Sequence, residues 1–497
     1  CDPVHGWRRD GTNVYAADFE MALGHENQVF VGDRMAREAR WPNANSRGWT
    51  SLLEFPTATM AEGTTPTRIV DPELPNLNWT GASVWVSSER RWFCWTGKVT
   101  GFGKGWLEIE DHADTSGNHV CAPGGTYVVF GARAALDATD EWHYDAEDRV
   151  LRLCLVAEER PDDRVVVKRR RWGCYFWGAG NVRVEGVTVF GASVVTDDES
   201  SEVCLDRLTL RYVYHSNRAE HQYGSQRDTG VILKGSGHTV QHCEIAFSSG
   251  NCLLLAGENC RAINNYLHDG NYMGTYAAPL AFGGAARGHL ITHNTIMRAG
   301  RSAISTNGMY DCLFQHNDVG YVGYLTADLG LTYGNGVEGG NTELRYNWFH
   351  DNLCEAPNSG IYFDHGCKNL IIHHNVVWNV AGTALHNNQY ANYLLYYNNT
   401  LCDAEYGYRS TWAAAQAKDL YGCYLMNNLS TGGREFDGHG LVARNNVWNS
   451  ERPPDGKRLL AGSPAIGGGC VIEEIAERHE KRPPDCGAYE LGGKDWV

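Results

Sequence analysis

Asp364 and His365 follow a short apolar run, and the residues at matching places in neighbouring runs are polar too. Aligned by their glycines, residues 330–335 (GLTYGN) lie beside 360–365 (GIYFDH), with 303–307 before them and 383–387 after. The polar ends then stack in a column: Thr306 and Asn307, Gly334 and Asn335, Asp364 and His365, His386 and Asn387. Neighbouring strands lie ~4.8 Å apart, so these side chains converge on one patch, and Gly334 opens a gap beside Asp364. A carboxylate, imidazoles and amides around a gap suit sugar recognition and acid–base chemistry.

Cleaving a glycosidic bond takes two carboxyl groups, about 5–5.5 Å apart for retention or about 6.5–9.5 Å for inversion. Asp364 is the first; Asp328, Glu338 and Glu355 are the candidates for the second. Asp328 precedes its strand whereas Asp364 ends the matching one, which in straight register separates them by ~20 Å. Only a bent, inserted coil unites that pair. Glu338, in the glycine-rich stretch 334–340, reaches the patch more directly. His365, His386, Tyr333, Asn307 and Asn387 are the groups expected to orient a sugar. No spacing resembles a calcium loop, so no metal ligand is assigned, and no cofactor is called for beyond a structural calcium ion. Elimination chemistry would instead need a cation to neutralise a uronate, and the nearest, Arg301, is out of register.

These residues need a scaffold that repeats. Asn265, Asn294, Asn317, Asn347, Asn375, Asn399, Asn428 and Asn446 each precede two mostly apolar residues, at steps of 29, 23, 30, 28, 24, 29 and 18. A period of ~20–30 residues built from strands and turns is a β-solenoid. Asparagine at a turn tolerates left-handed backbone angles, and stacked amides bond the amides above and below. The pairs Leu290/Ile291, Leu313/Phe314, Leu370/Ile371 and Leu394/Leu395 then fill the coil. The repeat spans 176–460. Residues 1–175 show no repeat and read as a β-rich domain of hairpins, one of them at 141–155, with short helices at 15–23 and 33–39. Residues 461–497 leave the repeat and read as a cap on the last coil, stapled by Cys470 and Cys486.

The chain has 497 residues and a formal net charge of -16, which argues against a nucleic-acid partner. Its one compact basic run, 168–171, reads as a solvated strand end rather than a phosphate site. No apolar stretch approaches the ~18 residues needed to cross a bilayer. Sixteen cysteines without CxxC spacing point to a disulfide-bearing protein of the cell exterior or surface. The sequons at Asn78, Asn398 and Asn428 are compatible with export. Cys1 is read as a processed start in a disulfide in preference to a lipid anchor.

The stretches FVGDRMAREARWPN (30–43), EWHYDAEDRVLRLCL (141–155), TADLGLTYGNGVEGGNTELRYNWFHDN (326–352) and GIYFDHGCKNLIIHHNVVWN (360–379) resemble bacterial right-handed parallel β-helix proteins, and the nearest group is glycoside hydrolase family 141. GSPAIGGG (462–469) and PDCGAYE (484–490) resemble tails of exported β-helix proteins. The resemblance implies an exported hydrolase of plant or microbial polysaccharide, with its acids at a DxG strand start and an IYxD strand end. Those are Asp328 and Asp364. The expectation is thus an all-β, right-handed parallel β-helix preceded by a β-rich domain, acting on a polysaccharide or oligosaccharide through two carboxylates. A non-catalytic surface or assembly protein, as a homo-oligomer, and a polysaccharide lyase or epimerase are the alternatives.

Overall fold

The computed structural model describes the chain except residues 45–50, 111–118, 158, 220–228, 285, 356–357, 389, 411–419, 437–439, 454, 477–481 and 497. From Trp172 onward the chain winds into coils whose strands form three parallel sheets of eleven, eleven and ten strands. It is a parallel β-helix. The first sheet runs in coil order from Trp172–Phe176 through Ile304–Ser305, Leu329–Gly334, Asn358–Phe363 and Thr383–Asn387 to Gly433–Phe436.

The asparagine ladder fixes the register between coils. Each ladder Oδ1 from Asn294 to Asn446 accepts the backbone N–H and the side-chain amide of the preceding ladder asparagine, all at 2.9–3.1 Å. The same amides also donate to carbonyls one coil back, such as Asn347 Nδ2 to Phe314 O. Buried polar groups are costly unless paired, so the ladder satisfies a line of them that water cannot reach. The left-handed angle expected at the asparagine belongs instead to the residue before it: Asn264, His293, His316, Tyr346, His374, Asn398, Asn427 and Asn445 have φ of 48–58°. Three of those positions stack as rings, His293 on His316 and His316 on Tyr346.

Inside the coil, Ile291, Phe314, Leu344, Ile372, Tyr396 and Leu425 form one continuous column through paired strands. Each contributes roughly 2 kcal/mol by leaving water. Strand alternation admits one residue of each apolar pair: Ile291, Phe314, Leu370 and Leu394 are buried, while Leu290, Leu313, Ile371 and Leu395 are partly exposed.

The N-terminal region is β-rich, in sheets of four, seven and five strands that are antiparallel apart from one pairing. The 141–155 hairpin forms, as Glu141–Asp145 against Val150–Cys154. The two expected helices do not. Residues 15–23 contain the strand Val14–Asp18, which pairs with Val150–Cys154, and 33–39 contain Arg34–Met35 and Arg37–Glu38. Hairpin pairing overrides the local helical preference. This region packs on the coils through Phe30, Met35, Leu52 and Leu53 against Tyr212, Tyr272 and Leu325. Lys168, expected in water, is buried.

All sixteen cysteines are free, including Cys470 and Cys486, so the disulfide framework expected from their number is absent. Cys252, Cys260, Cys367 and Cys423 are buried in the coil core, where they pack as small apolar side chains. Asn398 and Asn428 are buried, leaving Asn78 as the exposed sequon. The C-terminal tail lies along the turns of the late coils: Asn398 and Asn427 donate to Asp485 O and Cys470 O, and Trp348 Nε1 donates to the Tyr489 hydroxyl.

Candidate active site

The first sheet positions the site, and its register corrects the glycine alignment by one residue. Tyr333 pairs with Tyr362 and Gly334 with Phe363, followed by Tyr362 with His386 and Phe363 with Asn387. The polar column at the strand ends is therefore Asn307, Asn335, Asp364 and Asn388. Asn335 N donates to Asn307 Oδ1 at 2.9 Å. Gly334 leaves no gap beside Asp364: a side chain there would meet Thr306 Oγ1 at 2.1 Å and Val337 Cγ2 at 2.7 Å.

Every partner of the Asp364 carboxylate is a donor. Tyr333 OH and Asn335 Nδ2 reach Oδ2 at 2.7 and 3.2 Å, while Asn388 Nδ2 and His365 N reach Oδ1 at 2.7 and 2.8 Å. Burial, then the Asp364 charge, raises the Tyr333 hydroxyl far above the usual phenol range, so it stays a donor.

Asp328 immediately precedes the strand Leu329–Gly334, with φ of 52°. Arg301 Nη2 donates to its carbonyl at 2.9 Å, and Ala327 N donates to Arg91 O at 2.6 Å. These contacts hold the start of that strand, and the Asp364 charge reaches the Asp328 carboxyl. Burial first, opposed by Arg301 and assisted by the Asp364 charge, pushes Asp328 up to about 6. Tyr362 feels both carboxylates, and its hydroxyl is raised by burial and then by Asp328 and Asp364.

Arg301 is buried, with its guanidinium 4.3 Å from the Tyr276 ring centroid and 4.5 Å from that of Tyr333. Its Nε donates to Trp92 O, which ties the N-terminal region to the site. His386 stacks on Tyr362 at 4.1 Å between centroids, and burial holds it down to about 4, neutral in ordinary solution. His365 is exposed and meets the Tyr390 ring at 4.7 Å.

Two expected site residues lie elsewhere. Asn387 points into the coil and bonds the hydroxyls of Tyr396 and Tyr408, because odd and even positions of a strand face opposite sides. Glu338 sits on the second sheet, 3.0 Å from Lys368 Nζ, with Asn369 Nδ2 at 2.7 Å. Burial acts to raise Glu338, but those two donors outweigh it and hold the carboxyl below its usual range. It lines a groove with Arg287, Asn307, Tyr310 and Asn335. Glu355 is exposed against Arg91 at 3.5 Å. Sequence reasoning missed Tyr362 and Asn388; alternation back from Asp364 points to the first, and only the true register gives the second. Among the described residues no group of three or more His, Cys, Asp or Glu side chains is arranged to hold a metal ion.

Residues 228–401 match the family model of the right handed beta helix region. Among solved structures, the chain is similar to a glycoside hydrolase at 12% identity, covering 90% of this chain and 81% of that one, with a TM-score of 0.54. It is also similar to pectate lyase Pel9A at 13% identity, covering 65% and 86%, with a TM-score of 0.42. A third likeness is to the catalytic unit of the thermostable GH87 alpha-1,3-glucanase from Streptomyces thermodiastaticus strain HF3-3, at 11% identity, covering 93% and 95%, with a TM-score of 0.35. No curated protein matches the sequence. At these identities the likeness concerns the fold, and the chemistry is argued from the side chains.

Proposed function

We propose that this chain is an exported glycoside hydrolase acting on a polysaccharide or its side chains, a relative of family 141. One observation supports the reading: the Asp364 carboxylate is encircled by four hydrogen-bond donors, and its charge reaches Asp328, which burial pushes up to about 6. Two carboxyls held in such different environments divide the labour of acid and base. Asp328 is the general acid that protonates the leaving oxygen. Asp364 attacks the anomeric carbon or activates water, and its amide and phenol donors hold it aimed. Tyr333 orients Asp364, while the partly exposed His386, stacked on the buried Tyr362, faces the sugar.

Arg301, the cation an elimination would need, is occupied with two carbonyls and two aromatic rings beneath the surface. That favours hydrolysis over elimination. The test is release of reducing ends from a panel of plant and microbial polysaccharides. Cleavage that vanishes in Asp328→Asn and Asp364→Asn supports the proposal. An unsaturated, ultraviolet-absorbing product would mean a lyase, and no cleavage of any member would leave a non-catalytic surface protein.

A further inference from the structure

The turns between the first and second sheets carry exposed tyrosines on both sides of the coil that holds Asp364. Tyr310 precedes the strand Leu313–Gln315, and Tyr393 lies in Asn392–Tyr397, three strands later in the second sheet. They are 44% and 54% exposed. Each ring rests on a glycine of the next coil. A side chain at Gly340 would come within 2.6 Å of the Tyr310 ring, and one at Gly422 within 2.4 Å of the Tyr393 ring. The missing side chains seat the rings and leave the remainder of each in water. At ~4.8 Å per coil the rings stand ~14 Å apart, on either side of the Asp364 turn. A lone exposed tyrosine needs no explanation, but two seated alike around a carboxylate mark a path. Tyr421, 64% exposed, continues it by one coil: Tyr393 N donates to its carbonyl.

On the earlier side the path sinks into the groove that Tyr310 lines with Arg287, Asn307, Asn335 and Glu338. Its volume of about 350 Å³ is within the range of small-molecule sites. Asn335 also donates to Asp364 at 3.2 Å, so groove and carboxylate adjoin. On the later side Asn388 donates to Asp364 at 2.7 Å, and the exposed His365 meets the Tyr390 ring at 4.7 Å. The cations along this face are each matched by a carboxylate: Arg287 with Glu258 at 3.9 Å, Lys368 with Glu338 at 3.0 Å, and Arg409 with Glu435 at 2.8 Å. The Asp364 charge itself is met by neutral donors alone. A polyanion would find no surplus cation here and would be repelled by Asp364 and by the net charge of -16. Amides, paired charges and aromatic rings suit uncharged sugars, whose hydroxyls need donors and acceptors and whose apolar ring faces need platforms.

We propose that the site takes internal units of an uncharged polysaccharide backbone laid along the solenoid axis, with Tyr310 and Tyr393 as platforms for sugar rings on either side of the cleaved bond. This rests on the hydrolytic reading of Asp328 and Asp364. A single sugar does not bridge ~14 Å, whereas a chain running on past both tyrosines does. Water adds across one of its internal bonds, leaving a new reducing end on one fragment and a hydroxyl on the other.

Affinity electrophoresis of the full chain carrying Asp364→Asn, which leaves the polymer uncut, tests this with arabinoxylan, galactomannan, mixed-linkage β-glucan and polygalacturonate. At least one of the three neutral polymers retards the chain and polygalacturonate does not. Tyr310→Ala and Tyr393→Ala each weaken that binding about fivefold or more, while Tyr310→Phe, which keeps the ring, stays within about twofold. Tyr266→Ala removes a ring 40% exposed in the strand Tyr266–Gly270 of the third sheet and changes nothing. With the same polymer, the unmodified chain lowers the viscosity early and releases oligosaccharides before single sugars. The proposal is overturned if no neutral polymer binds, if polygalacturonate binds as tightly, if both alanine variants match Tyr266→Ala, or if single sugars are the first product. Binding that depends on both tyrosines, with no cleavage by the unmodified chain, overturns the hydrolytic reading instead and supports the two platforms as a binding path.

Discussion

Two columns of Asx side chains run along the same coils, and only one of them is a candidate for chemistry. In the ladder from Asn265 to Asn446 every rung is an asparagine that both donates and accepts, so each amide is satisfied by the next. The column Asn307, Asn335, Asp364 and Asn388 uses the same strand-end geometry but carries one carboxylate. A carboxylate cannot donate, so it ends the exchange and collects donors from both sides. It also lies at the coil's surface, whereas the ladder from Asn265 to Asn428 is buried. The difference is one oxygen for one amide nitrogen, placed where substrate has access.

Restoring that nitrogen is the most severe test. Asp364→Asn converts the second column into an all-amide one, so the fold is expected to survive with a Tm within a few degrees. Hydrolysis is expected to fall by about 10³-fold or more, since a missing acid–base or nucleophilic group costs that much. A variant that keeps its activity would reduce Asp364 to a turn cap. The mirror experiment breaks the ladder. Asn347→Ala strands the backbone N–H of Asn317 and the carbonyl of Phe314 in a dry interior, at a cost of about 2–4 kcal/mol. Chemical denaturation should report that loss, while the folded fraction keeps its kcat.

The third test concerns pH. Asp328 is raised to about 6, so it is protonated below that pH and loses its proton above it. A general acid must hold its proton, hence kcat/KM should fall about tenfold per unit as pH rises past about 6. Asp328→Asn, which has no such proton to lose, should erase that limb along with most of the activity. A limb that persists in Asp328→Asn assigns the titration to another group.

The ladder was legible in the sequence because asparagine is the short side chain that donates and accepts at once, and its spacing survives coils of 18 to 30 residues. The carboxylate Asp364 was legible for the same reason, as the acidic residue in a column of amides. The exact register was not. Gly330 and Gly360 look equivalent, yet Gly330 pairs with Ser359, and that one-residue slip moved Asn387 from the coil interior to the supposed site. Counting cysteines also misled, because a solenoid interior accepts Cys367 or Cys423 as readily as alanine, without a partner. Nor does spacing reveal that Arg301 and Arg91 hold the chain just before the Leu329–Gly334 strand, since those contacts come from a neighbouring coil and the N-terminal region.

The mildest expected effect separates the two candidate acids. Glu338 is held by Lys368 and Asn369 in a groove that shares Asn335 and Asn307 with the second column. An acceptor so engaged, and held below the usual carboxylate range, has no proton to give a leaving group. Its place in the groove instead suits contact with a sugar hydroxyl next to the cleaved bond. Glu338→Gln keeps the acceptor oxygen and removes the charge, so kcat should stay within about twofold while KM rises about two- to threefold, the signature of lost uniform binding. A collapse of kcat in Glu338→Gln, with Asp328→Asn still active, would transfer the acid to the second sheet. The contrast between columns would then move from Asp364 alone to the pair Asp364 and Glu338, joined by Asn335.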